Sequence, residues 1–135
     1  NLFANVWTVT ELSQTPIDIQ IWFNAELIGC PTVSHQVTPA NTALCPPPQS
    51  PILLMQASHV YGTPGHGVKA YTRISTPGAT AVAEEDGKFI IPPGGNFMVF
   101  LTGLPDSDAV DGCVDNRVAF GWWVEPVCHN PEMEL

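Results

Sequence analysis

The side chains in this sequence able to do chemistry are four cysteines, four histidines and thirteen acidic residues, and their spacing decides what they can do. Cys30 and Cys45 lie fifteen positions apart, and so do Cys113 and Cys128. No CxxC occurs and no cysteine stands at a zinc-finger spacing from a histidine, which leaves disulfides as the chemistry to expect. Of the three connectivities that four cysteines permit, the local one is preferred: Cys30–Cys45 and Cys113–Cys128 each enclose a loop punctuated by proline or glycine. Each bridge would stabilise by roughly 3 kcal/mol through the unfolded chain. Oxidised thiols also set a compartment, extracellular or at the cell surface.

Asp106, Asp108, Asp111 and Asp115 share one loop with Gly112. Calcium binds several carboxylate and carbonyl oxygens on one flexible turn. The spacing is not that of an EF-hand, because Gly112 falls one residue late and the twelfth position from Asp106 is Arg117. Solvated loop acids are the stronger reading, and no metal or cofactor is expected. His59 and His66 flank the turn Gly62–Gly67, while His35 and His129 lie near cysteines; ordinary surface hydrogen bonds account for them. Glu84, Glu85 and Asp86 are adjacent on a predicted hairpin tip, exposed to water and without the burial that raises a catalytic pKa. Glu125 follows Trp122 and Trp123, but glycoside hydrolysis ordinarily needs two carboxylates. There is no GxSxG elbow. The chain reads as a protein without a catalytic site.

Trp122 and Trp123 are neighbours, so on a strand they point to opposite faces. Trp22 raises the same question, since it opposes Ile21 and Phe23. An outward tryptophan is a platform for a sugar ring or a partner, or else is covered by a loop. No asparagine begins an N-x-Ser/Thr sequon, while Thr15, Thr38, Thr63 and Thr76 each precede proline and suit O-linked sugars.

The elements that must position these groups are short. Fourteen prolines and eleven glycines leave no clean helical stripe, and β-branched and aromatic residues fill the gaps. Leu2–Thr10 predicts a strand with Phe3, Asn5, Trp7 and Val9 on one face. Ile17, Ile19, Ile21 and Phe23 alternate with Asp18, Gln20, Trp22 and Asn24, a period of two. Further strands are expected at Pro51–Tyr61, Val68–Ser75, Asn96–Thr102 and Arg117–Val124. Ala79–Ala83 and Lys88–Ile91 predict a hairpin around Asp86-Gly87, a dipeptide that supplies the positive φ of such turns. Cys30–Ser50, with Pro46-Pro47-Pro48, predicts an irregular loop. The run Thr80–Phe100, with Glu85-Asp86-Gly87-Lys88-Phe89 and then Pro92-Pro93-Gly94, resembles hairpins of transthyretin-like and carboxypeptidase-regulatory-like sandwiches. It covers about a sixth of the chain, is mostly turn chemistry and defines no family. About eight or nine strands predict an all-β, two-sheet β-sandwich, immunoglobulin-like or jelly-roll, carrying two disulfides.

With 135 residues one domain, 1–135, is expected. Charged residues reach only 13% and apolar ones 44%, a composition that folds. Four Lys and Arg stand apart against thirteen acids, for a net charge of −9. That excludes the clustered cations of nucleic-acid binding. No apolar run approaches the ~20 residues of a membrane span, and the start at Asn1 suggests a removed leader. Low charge, apolar strands and a first strand set off by the polar connector Glu11–Pro16 predict an extracellular subunit that self-assembles into a filament or homopolymer. Residues 1–10 would act as donor strand, with Leu2, Phe3, Val6, Trp7 and Val9 entering the neighbouring subunit. Two other readings stand beside it. One is a virion capsid, decoration or fibre domain; the other is a carbohydrate-binding or adhesion module that recognises glycans with Trp22, Trp122 or Trp123.

Overall fold

The computed structural model describes residues 1–47, 49–58, 60, 62–104 and 115–126. Among them there is no helix. The strands are β1 (Leu2–Glu11), β2 (Ile17–Phe23), β3 (Thr32–Val33), β4 (Met55–Gln56), β5 (Val68–Ser75), β6 (Thr80–Ile91), β7 (Phe97–Gly103) and β8 (Asn116–Val124). Two compact units result, one comprising 1–25 with 66–135 and the other 26–65.

The first unit holds two three-stranded antiparallel sheets packed together, β6-β1-β8 and β5-β2-β7. Their contact follows from the period-two patterns. Ile17, Ile19 and Ile21 put one face of β2 fully inside, and Trp7 and Val9 do the same for β1. Phe89, Phe97 and Phe120 pack against that centre. Full burial of each such side chain is worth roughly 1.5–3 kcal/mol, so these two central strands carry most of the apolar drive.

Two local rearrangements change which residues share a face. Ala4 and Val6 pair with consecutive β8 residues, Trp122 and Gly121, so Asn5 is an extra residue in β1. A bulge of this kind reverses the parity of what precedes it. Phe3 therefore lies on the outer face, opposite to Trp7 and Val9, rather than on theirs. On β6, residues 85–88 stand against that one bulged residue. Asp86 and Gly87 have φ of 52° and 80°, but they do not close the expected hairpin. Thr80–Glu84 and Phe89–Ile91 both pair with β1, so the chain runs on as one strand of 12 residues. A left-handed dipeptide serves a bulge as well as a turn, and the waiting partner on β1 decides between them.

Three further turn signals mark corners between sheets. Leu12–Pro16 leads from β1 to β2 in the other sheet, Thr76–Ala79 from β5 to β6, and Pro92–Asn96 from β6 to β7. Gly78 N donates to Glu11 O (3.1 Å) and Glu11 N to Ala79 O (3.0 Å), which fastens the first two of these corners to each other.

In the second unit β3 and β4 pair antiparallel, extended by Ser34 N to Leu54 O at 2.8 Å. Among the described residues of the predicted Pro51–Tyr61 strand, Met55 and Gln56 are extended in a ladder, and Leu53 is exposed. Cys30 and Cys45 are free and exposed, which corrects the expected bridge between them. The β3–β4 ladder closes this segment with backbone bonds, and Cys45 sits midway along the excursion from Ser34 to Leu54, some ten residues from either neck. A disulfide needs Cα atoms within about 7 Å. Cys113 and Cys128 lie outside the described residues.

Candidate strand-exchange site

The site is the slot that β1 fills. Its alternation of β-branched and aromatic residues favours an extended chain, and Ala4, Trp7, Val9 and Glu11 face inward and are buried. Leu2, Phe3 and Val6 are half-buried. Val6 faces outward, where Gly121 gives it room: a Cβ at 121 would come within 2.9 Å of Val6 Cγ1. All five residues predicted to enter a neighbour are therefore in contact with this chain's own sheets.

The slot has a polar receptor at its centre. Trp7 Nε1 donates to Tyr71 Oη (3.2 Å) and to Glu85 Oε1 (3.3 Å), and Tyr71 Oη donates to the same Glu85 oxygen at 2.5 Å. The three side chains come from β1, β5 and β6, so the network ties both sheets to the first strand. The Arg73 guanidinium lies 4.5 Å from the Tyr71 ring centroid, a cation–π contact. Burial first, and then the bond to Glu85, push the Tyr71 phenol up to about 12. The folded chain keeps this proton through a range where the unfolded chain releases it. The associated stability is complete below pH 10 and is lost as pH rises through about 12. An ultraviolet titration should accordingly show a phenolate step near 12 that disappears in Tyr71→Phe; a Tyr71 step at 10 would mean that the network is absent in solution.

Sequence reasoning placed Glu85 on an exposed tip. It is half-buried instead, because the strand continues past it and its side chain turns toward Tyr71. Glu11 was missed as well. It is fully buried, its Oε1 accepts Ser13 Oγ at 2.7 Å, and its Oε2 has no donor among the described residues. The signal was available, since period two from Trp7 and Val9 leads to position 11.

The predicted platforms separate as expected for neighbours. Trp122 pairs with buried Ala4 and is half-buried, whereas Trp123 pairs with Phe3 on the outer face and is 40% exposed. Trp22 is half-buried on the outer face of the second sheet, in a row where its Nε1 donates to Gln20 Oε1 (3.0 Å) and Gln20 Nε2 to Asp18 Oδ2 (3.0 Å). Of the loop acids, Asp115 is exposed and its carbonyl accepts from Leu12 N at 2.8 Å; Asp106, Asp108 and Asp111 lie outside the described residues. No cluster of three or more metal-ligating side chains occurs among the described residues. Thr38, Thr63 and Thr76 are exposed and Thr15 is half-buried. His35 and His66 are exposed, and His59 and His129 lie outside the described residues.

An all-β chain with two packed antiparallel sheets and a first strand paired on both sides is the class that fold and site define. Within that class the chain belongs to DUF6143, a family of unknown function, whose profile matches residues 1–129. Neither the curated proteins nor the solved structures contain a match to it.

Proposed function

We propose that this protein is an extracellular structural subunit that self-assembles into a homopolymer by exchanging β1 between neighbours, on an immunoglobulin-like or jelly-roll sandwich framework. The observation that carries the reading is the place of β1. It is the central strand of its sheet, so β6 and β8 have no ladder to each other, and the sheet requires a β1 from somewhere. The connector Leu12–Pro16 is the link through which the strand remains attached to β2. A neighbour's β1 can make the same ladder and the same bonds to Tyr71 and Glu85, so exchange adds no new contact and loses none. Among the described residues β7, FMVFLTG, is an edge strand that bears no charge, and edges of this kind favour strand association.

Light scattering and negative-stain microscopy over a range of concentrations test the proposal. Full-length chains should form linear assemblies, and a chain lacking residues 1–10 should form none. A peptide of residues 1–11 should bind the shortened chain and cap it. Full-length protein that stays monomeric throughout, or a shortened chain that still assembles, would sink the reading.

A further inference from the structure

Trp123, Phe3 and Ile90 form one rung across the outer face of β6-β1-β8. The rung spans two strand spacings, roughly 10 Å. The Phe3 and Trp123 rings are parallel, 5.4 Å between centroids and 3° between planes. Trp123 also reaches across to Gly87, where a Cβ would stand 2.4 Å from its Cη2. Its Nε1 donates to Glu125 Oε1 at 3.3 Å. The indole is thus held on three sides and still exposed, as is Ile90 at 54%. Ile90 also lines an open pocket of about 360 Å³ with Phe23, Asn24, Lys88, Phe89 and Pro92. Strip and pocket meet at Ile90.

The charge around the strip selects its occupant. Glu84, Asp86 and Glu125 are exposed, with Lys88 and the Asn1 amine, which donates to Glu125 O at 2.7 Å, as the neighbouring cations, in a chain of net charge −9. An acidic lipid or a nucleic acid would bring like charge to this rim. A neutral polyol brings none. Carboxylates accept hydroxyl donors, and Glu125 keeps most of its acceptor capacity after taking the indole N–H. An indole ring offers an apolar plate for the C–H face of a sugar.

We propose that this face binds a neutral oligosaccharide, stacked on Trp123, with Glu125 accepting hydroxyl hydrogen bonds and the pocket beside Ile90 taking the adjoining sugar. This site is independent of strand exchange. Full-length protein should be retained on at least one of cellulose, chitin or starch, and calorimetry with the matching hexasaccharide should give saturable binding. Trp123→Ala should weaken it at least tenfold and Glu125→Ala severalfold, with Trp22→Ala unchanged. Glu125 is exposed, so its variant tests the site even where Trp123→Ala lowers the yield of folded protein. Retention on none of the three polymers, or unchanged affinity in both variants, overturns the proposal. So does a Trp123→Ala chain that loses self-association while the parent binds no polysaccharide, because the face would then be an interface between copies.

Discussion

Trp7→Ala is expected to cost about 3–5 kcal/mol of stability, the range for truncating a large buried aromatic side chain. The substitution removes the largest fully buried side chain of the core from a place where both sheets contact it, so collapse around the void would have to move β2 or β6. It also takes one donor away from Glu85 Oε1, leaving the Tyr71 hydroxyl to satisfy that carboxylate. Trp7→Phe separates the two contributions. Phenylalanine keeps much of the apolar volume and loses the indole N–H, whose bonds are worth about 1.5–3 kcal/mol when one partner is a charged group. Urea unfolding should therefore rank the midpoints parent, Trp7→Phe, Trp7→Ala. Equal midpoints for the two variants would mean that the network, and not the volume, sets the strength of the site. If strand exchange operates, Trp7→Ala should also reduce assembly, since the same side chain then anchors one subunit in the next.

Gly67→Ala is expected to cost about 2–3 kcal/mol, near the top of the usual overpacking range. A Cβ at 67 would stand 2.6 Å from Ala25 Cα, 2.6 Å from Phe23 O and 2.7 Å from Ala25 N. All three are backbone atoms, so no rotamer change relieves the clash, and the chain entering β5 must move away from the end of β2. Gly94→Ala is the matched control. Its φ of +83° makes a side chain strained, but nothing lies within 4 Å, so only the left-handed penalty of about 1–2 kcal/mol applies. Hydrogen exchange resolves the two. Gly67→Ala should expose amides at the start of β5 and the end of β2, and Gly94→Ala should leave them protected. Unchanged protection in Gly67→Ala would mean that the close approach is absent in solution.

How much of this was legible beforehand depends on what sets each feature. Ile17, Ile19 and Ile21 announce a half-buried strand by period alone, and Val68–Ser75 is bounded by glycine and proline turns at the residues where β5 begins and ends. Burial on one face leaves a local imprint. Bulges do not, because Asn5 becomes an extra residue only relative to Trp122 and Gly121, more than a hundred positions away. That is why Phe3 was assigned to the wrong face. The Asp86-Gly87 signal was real, but turn and bulge use the same backbone torsions, and their difference lies in the partner strand. The expected Cys30–Cys45 bridge failed because spacing measures loop length, whereas bond formation depends on where β3 and β4 send the chain. Tyr71 and Glu85 are fourteen residues apart and meet only because their strands belong to different sheets.

The order of the strands also constrains events on the ribosome. β1 emerges first, yet one of its two flanking strands is β8, the last of the eight to be made. At roughly 5–20 residues per second, translation takes between several and about twenty seconds to travel from Glu11 to Val124. Throughout that interval the nascent segment carries Trp7 and Val9 in an unfinished slot, open to capture by another polypeptide emerging nearby. Slowing or speeding elongation across that stretch should therefore change how often newly made chains pair with each other instead of with themselves.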